Sequence, residues 1–156
     1  MEKPEQIRVL KQLMAHLDAG TNVDAGGIRR NPSRAYTCPE RAQQEWQRFF
    51  REHPQVVGMT ADLGEPGDFF TRQDFGVPLL ATRDPRGRFR AFANVCRHRG
   101  AVVESAVRGS KKRFSCPFHG WTYDTEGALV GLPMPEHFGE IDRRCHGLVE
   151  LPSEER

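Results

Sequence analysis

The sequence contains no apolar run long enough to cross a bilayer, and its first residues, MEKPEQIRVL, lack the apolar stretch of a signal peptide. A membrane partner is therefore not expected, and the expected location is cytoplasmic. Cysteine is scarce, with 4 in 156 residues. In a chain without a secretory leader, so few thiols suit a reducing compartment, where they ligate metals or stay free more readily than they form disulfides. Charge is nearly balanced at +2, and nucleic acid is not an expected partner. The hydrophobic fraction of 37% is low to ordinary, while 11 prolines and 15 glycines favour a loop-rich β fold. The length fits one domain with a core. Beyond two ligand-like loops there is no internal repeat and no low-complexity tract.

Those two loops are the informative feature. The first reads Cys96-Arg97-His98; 17 residues follow, and then Cys116-Pro117-Phe118-His119. Two thiolates and two imidazoles suit a [2Fe–2S] cluster in which histidines replace two of the usual cysteines on one iron. On a tight loop the Cys and His side chains of each pair can reach different irons. Gly100 and Gly120 close the loops; glycine permits positive φ and lets backbone N–H groups approach cluster sulfurs. The same four donors could hold a structural zinc, whose ligand pairs are usually spaced by two to four residues.

The text around the donors, PLLATRDPRGRFRAFANVCRHRGA and FSCPFHGWTYDTEGALVGLP, resembles the Rieske motif as it occurs in the large (alpha) subunit of ring-hydroxylating, Rieske non-haem iron oxygenases. EPGDFF and GLVELP extend the likeness over nearly the whole chain. The resemblance implies a mainly β fold, an antiparallel Rieske-type β-sandwich preceded by two helices. It places the helical segment at 1–53 and the [2Fe–2S] domain at 54–156. It implies that Cys96 and Cys116 hold the inner iron, and that His98 and His119 hold the outer one, nearer solvent. Such subunits continue into a larger catalytic domain with a mononuclear Fe(II) on two histidines and a carboxylate. Asp142 and His146 lie four apart, but no further histidine precedes Arg156. The chain is accordingly read as the N-terminal Rieske part of an oxygenase, without catalytic residues of its own. The implied donor is a ferredoxin or flavin reductase, and the implied acceptor a catalytic domain or neighbouring oxygenase subunit. The alternative is a free-standing Rieske ferredoxin. Those carriers are shorter and bear their first ligand loop earlier, whereas about ninety residues precede it here.

Local patterns place the elements. Residues 4–18 read as a helix with the apolar stripe Ile7, Leu10, Leu13, Met14 and Leu17, ended by Gly20. A loop over 20–36 leads to a second helix from Thr37, capped by Thr37 with Glu40, burying Ala42, Trp46, Phe49 and Phe50, and stopped by Pro54. Strands are expected at 55–60, 68–73, 77–83, 88–94, 113–115, 122–123 and 128–130, with a closing strand at 147–151. Turns are expected at 84–87 and 124–127, and a hairpin turn at 108–112.

Several single residues carry further expectations. Trp121 reads as core with partial cluster contact. By resemblance, the Tyr123 hydroxyl bonds a ligand sulfur. Pro133 and Pro135 read as a lid or a plain turn. Cys38 and Cys145 read as free thiols, and His16, His53, His137 and His146 as surface or satisfied histidines. High-potential Rieske proteins carry a disulfide bracing the loops and a serine donor to a bridging sulfur; by resemblance, Ala101, Phe118 and Trp121 stand at those positions, which implies a low potential. Finally, residues 83–113 hold ten basic side chains against two acids, +8 in a chain of +2. This segment reads either as solvated hairpin charge or as a docking face for an acidic partner.

Overall fold

The computed structural model describes residues 2–22, 26–74 and 76–156. The chain divides into two compact units between Gln44 and Glu45, and each is described by itself.

The first unit is helical. Helix α1 spans Lys3–Ala19, with proline in its first turn and Gly20 beyond its end at φ 61°, donating to the His16 and Leu17 carbonyls. The helix thus stops at the glycine that the pattern named. Its apolar stripe is not buried: Ile7, Leu10, Leu13, Met14 and Leu17 are 45% to 80% exposed. The second helix departs from expectation. A single turn, α2, occupies Arg34–Thr37, and α3 runs Pro39–Glu45. Thr37 ends a turn instead of capping one. Pro39 is the cause: its ring forces the preceding Cys38 into extended geometry (φ −79°, ψ 114°) and then opens a helix at its favoured first position. The Cys38 thiol, not Thr37, meets the Glu40 carboxylate, at 3.1 Å. Residues 23–25 of the expected 20–36 loop lie outside the described residues.

The second unit opens with a π-helical turn at Trp46–Arg51. Helical spacing groups its aromatics, and Trp46 stacks on Phe50 at 5.2 Å. All of Trp46, Phe49 and Phe50 nonetheless stay exposed, because strand residues fill the core of this unit. No strand forms at 55–60. Gly58 instead lies flat on the sheet, where an added Cβ would meet the Phe70 ring at 2.8 Å, and a 3₁₀ turn follows at Thr60–Leu63.

Two antiparallel sheets form the rest. The first holds β1 (Asp68–Arg72), β2 (Leu79–Arg83), β3 (Phe89–Ala93) and β4 (Arg108–Ser110), in the order β3-β2-β1-β4. The second holds β5 (Arg113–Ser115), β6 (Thr122–Asp124) and β7 (Leu129–Gly131), in sequence order. Period-two alternation sorts the side chains. Phe69, Leu80 and Phe92 point inward to meet Phe114, Tyr123 and Leu129 of the facing sheet and Trp121 just before β6. Phe70, Leu79, Ala81 and Ala91 point outward to pack with Leu63. Phe69 meets Phe114 edge to face at 5.2 Å. The 84–87 turn forms as read, with Gly87 at φ 74° donating to the Asp84 carbonyl. The hairpin expected at 108–112 does not form. There β4 pairs with β1 and β5 with β6, so Lys111 and Lys112 carry the chain from one sheet to the other. Residues 147–151 follow β3 through only two backbone bonds, Ala93 N–H to the Val149 carbonyl and Leu151 N–H to the Ala91 carbonyl. Among the described residues no helix is long and apolar enough to cross a membrane.

One buried polar side chain fixes the path out of β3. Asn94 is 1% exposed. Its Nδ2 donates to the Glu104 carbonyl at 2.7 Å, and its Oδ1 accepts from the Val103 and Glu104 N–H groups at 3.2 and 3.0 Å. It thereby ties the start of the first ligand loop to its exit. Asn94→Ala would leave three backbone groups short of a partner in a dry site. The expected loss is about 3 kcal/mol or more, since each unsatisfied buried group costs roughly 1–3 kcal/mol. Urea unfolding measures it, and a change below about 1 kcal/mol would contradict this role for the side chain.

Candidate metal-cluster site

The two loops fold alike although their ligand spacings differ. In each, the cysteine N–H donates across the loop, Cys96 to the Ala101 carbonyl and Cys116 to the Trp121 carbonyl, at 2.7 and 2.8 Å. In each, a glycine four residues on donates back to the cysteine carbonyl at 3.0 Å, Gly100 to Cys96 and Gly120 to Cys116. Both glycines take positive φ, 78° and 71°. Gly120 has a second reason to be glycine: an added Cβ would meet Pro133 Cγ at 2.9 Å. The loops are thus two copies of one turn, with the histidine at the third position in one and the fourth in the other.

That offset pairs the four predicted residues by type. Cys96 and Cys116 are each 3% exposed, and their thiols interact with one another. His98 and His119 are half-buried at the outer edge, with Nδ1 atoms 3.1 Å apart. Two nitrogens bound to one first-row metal ion at about 2.1 Å, with a tetrahedral angle, stand about 3.4 Å apart, so the observed separation suits a shared ion. Among the described residues no three His, Cys, Asp or Glu side chains converge on one point. Two donor pairs, one soft and one imidazole, fit two irons better than one zinc.

The surroundings fit the same group. Burial pushes the Cys116 thiol up, and the neighbouring Cys96 adds to that, while the Phe118 and His119 N–H groups pull the other way. Thiolate here calls for a metal's positive charge. Burial, then His119 and Arg99, hold His98 below the ordinary histidine value, favouring the neutral, ligating form. Tyr123 is fully buried. Its hydroxyl lies 3.4 Å from Cys96 Sγ and accepts the Arg97 N–H at 3.0 Å, which leaves the phenolic proton for the sulfur. Burial first, then Cys96, pushes this phenol far above its usual range, so it stays protonated.

Trp121, 1% exposed, stacks on His98 at 5.1 Å with planes 14° apart. It is therefore both core and a wall of the site, as read. Its Nε1–H is buried and has no acceptor among the described residues. The segment after Pro133 does lie over the site, but by way of Phe138, which the sequence reading missed. Its ring meets His98, His119 and Trp121 edge to face at 5.1, 6.4 and 5.6 Å. Pro135 only opens a 3₁₀ turn. His146 is half-buried with its ring 5.9 Å from Trp121, and so helps to wall the site from behind.

A family model described as the Rieske [2Fe-2S] domain matches residues 53–149. This chain belongs to that family. The Rieske chain is 36% identical over 126 residues to the biphenyl 2,3-dioxygenase alpha subunit of Rhodococcus jostii, covering 81% of itself and 27% of that relative. It is 36% identical over 120 residues to the chloroplastic choline monooxygenase of Spinacia oleracea, covering 77% of itself and 27% of that protein. Among solved structures, a naphthalene 1,2-dioxygenase with indole bound matches with TM-score 0.64 and 31% identity, over 69% of this chain and 25% of that one. A quaternary ammonium Rieske monooxygenase bound to L-carnitine matches with TM-score 0.70 and 30% identity, over 79% of this chain and 35% of that one. The Rieske chain thus spans about a quarter of the length of the relatives it matches.

Proposed function

We propose that the chain is the electron-transfer module of a Rieske non-haem iron oxygenase, residues 54–156 forming the [2Fe–2S] domain and 1–53 a helical segment before it. Cys96 and Cys116 hold the inner iron, and His98 and His119 the outer. The donor is a ferredoxin or flavin reductase. The acceptor is a mononuclear iron centre in a catalytic domain or neighbouring subunit, and a cytoplasmic setting suits the free thiols Cys38 and Cys145. The observation that carries this reading is the sorting of four donors into a buried thiol pair and an imidazole pair at the edge, by two loops of one shape.

When bound, the [2Fe–2S] group supplies one-electron transfer. The chain's residues do the rest. The cysteine loops fix ligand positions before metal arrives, so little reorganisation accompanies a change of charge. Tyr123 holds its proton toward Cys96 Sγ. Trp121 and Phe138 keep water from the inner side of His98, while His98 and His119 remain near the surface, where a partner can approach.

The test is composition and spectrum. Purified without oxygen, the protein is expected to hold two irons and two acid-labile sulfides per chain, to be red-brown, and to give a Rieske-type electron paramagnetic resonance signal on reduction. A folded protein containing zinc and no iron would overturn the assignment.

A further inference from the structure

The structure divides the basic segment 83–113 into two halves of different meaning. Five of its cations are held by acids. Arg83 pairs with Glu155, Arg88 with Asp84 and Glu126, Arg90 with Glu150, Arg108 with Asp62, and Lys111 with Glu104. Asp84 and Glu104 are already counted in the +8, so the four acids from outside the segment, Asp62, Glu126, Glu150 and Glu155, halve it to +4; Glu155 lies 72 positions from Arg83. Arg86, Arg97, Arg99, Lys112 and Arg113 have no acidic partner among the described residues. Arg86 sits in the 84–87 turn, at the far end of β3 from Cys96. The other four flank the ligand loops.

Two of these cations border one surface. The Arg99 guanidinium lies 5.4 Å above the Phe118 ring, and that ring lies 4.0 Å from His119. Phe118 is 59% exposed, although a phenylalanine beside a functional loop has every apolar reason to be covered. The preceding residue, Pro117, borders an open cleft of about 340 Å³, lined also by Val102, Glu104, Lys111 and Arg113. Lys111 satisfies Glu104 there with one of its three donors, while the Arg113 fork has no carboxylate to grip.

We propose that this surface is the docking site for an acidic protein electron donor, with Phe118 as the apolar anchor beside His119 and the Arg113 cleft as the socket for a donor carboxylate. This rests on the cluster assignment above. Charge complementarity selects an acidic partner. One exposed aromatic with the Arg99 guanidinium over it, next to a cleft that holds the unpaired Arg113, suits a partner that arrives and leaves; a permanent subunit contact is larger and more apolar. Unpaired cations at the rim act chiefly on the rate of encounter, and on its loss with salt.

The test uses the iron-loaded protein and a reduced, acidic plant-type ferredoxin as the probe, with cluster reduction followed by stopped flow. Arg113→Glu combined with Arg99→Glu is expected to slow reduction at least about tenfold near 0.01 M ionic strength, and the difference should vanish near 1 M, where charges are screened within about 3 Å. Arg113→Glu alone should give part of the effect, and Arg86→Glu little. Reduction by photoreduced deazaflavin, a small donor needing no docking surface, should be unchanged by Arg113→Glu and Arg86→Glu; because Arg99 lies beside the ligand His98, the paired variant is judged by the fall of its ferredoxin rate relative to its own deazaflavin rate. A ferredoxin rate indifferent to the paired reversal, or slowed equally by Arg86→Glu, would overturn the docking site. So would a deazaflavin rate that falls in step with the ferredoxin rate. Absence of iron in the unsubstituted protein would instead sink the cluster assignment itself.

Discussion

Replacing Cys116 with serine is expected to yield a folded chain that retains no [2Fe–2S] group and gives no reduced-state resonance signal. The thiol is 3% exposed and belongs to the buried pair, so nothing from solvent can take its place. A serine hydroxyl is a hard, weakly acidic donor where the pocket calls for a soft anion. Burial already opposes ionisation of the thiol, and it would oppose an alkoxide far more. The loop itself should survive. Its shape depends on backbone bonds from Cys116 to Trp121 and from Gly120 to Cys116, and on the positive φ of Gly120. The cost to the apo fold is that of one extra buried hydroxyl, about 1–3 kcal/mol. Iron analysis, the resonance spectrum and circular dichroism together check this. Two irons per chain in the variant would mean that Cys116 is not a ligand.

How much of this was readable in advance depended on whether the cause was local. The 84–87 turn and the strands flanking it were legible because Asp-Pro-Arg-Gly specifies a turn by its own dihedral preferences. The ligand loops were legible because few chemistries need thiols and imidazoles in that order. Asn94 and Phe138 were not. Each acts through partners brought close only by the finished sandwich, and neither sits in a pattern that distinguishes it from an ordinary strand-end amide or loop aromatic. The segment 108–112 misled for a related reason. A short polar turn between two strand-like runs looks the same whether the second strand pairs with the first or crosses to another sheet. The charge count over 83–113 could not show which cations are paired: Arg83 is neutralised by Glu155, 72 residues away. The apolar stripe of α1 was correctly periodic yet is exposed, since periodicity shows which face could be buried and not that a partner is present.

The reduction potential is expected at the low end of the Rieske range, on the order of −150 mV, and Tyr123→Phe should lower it further. Reduction adds negative charge to the cluster, so donors to its sulfurs and nearby water favour the reduced form. This chain offers little of either. Neither loop holds a second cysteine to brace it with a disulfide, and Trp121, which the resemblance puts at the place of a serine donor, stacks on His98 instead. Trp121 and Phe138 exclude water from the inner side of His98. Tyr123 remains as a side-chain donor to a ligand sulfur, and its direction is fixed. The hydroxyl accepts the Arg97 N–H, and a ligating Cys96 thiolate has no proton to give, so the phenol must donate to the sulfur. If the reduced state gains about 1 kcal/mol more from that bond than the oxidised state does, its loss shifts a one-electron couple by about 40 mV toward negative values. The fold should tolerate the change, since the ring packs in the core and only the hydroxyl is removed. The Arg97 N–H, which faces the buried phenol, loses its acceptor, at a cost of about 1–3 kcal/mol. Redox titration followed by visible absorbance and by electron paramagnetic resonance measures both values. A potential above zero at neutral pH, or a rise in the phenylalanine variant, would contradict this account of how the pocket sets its potential.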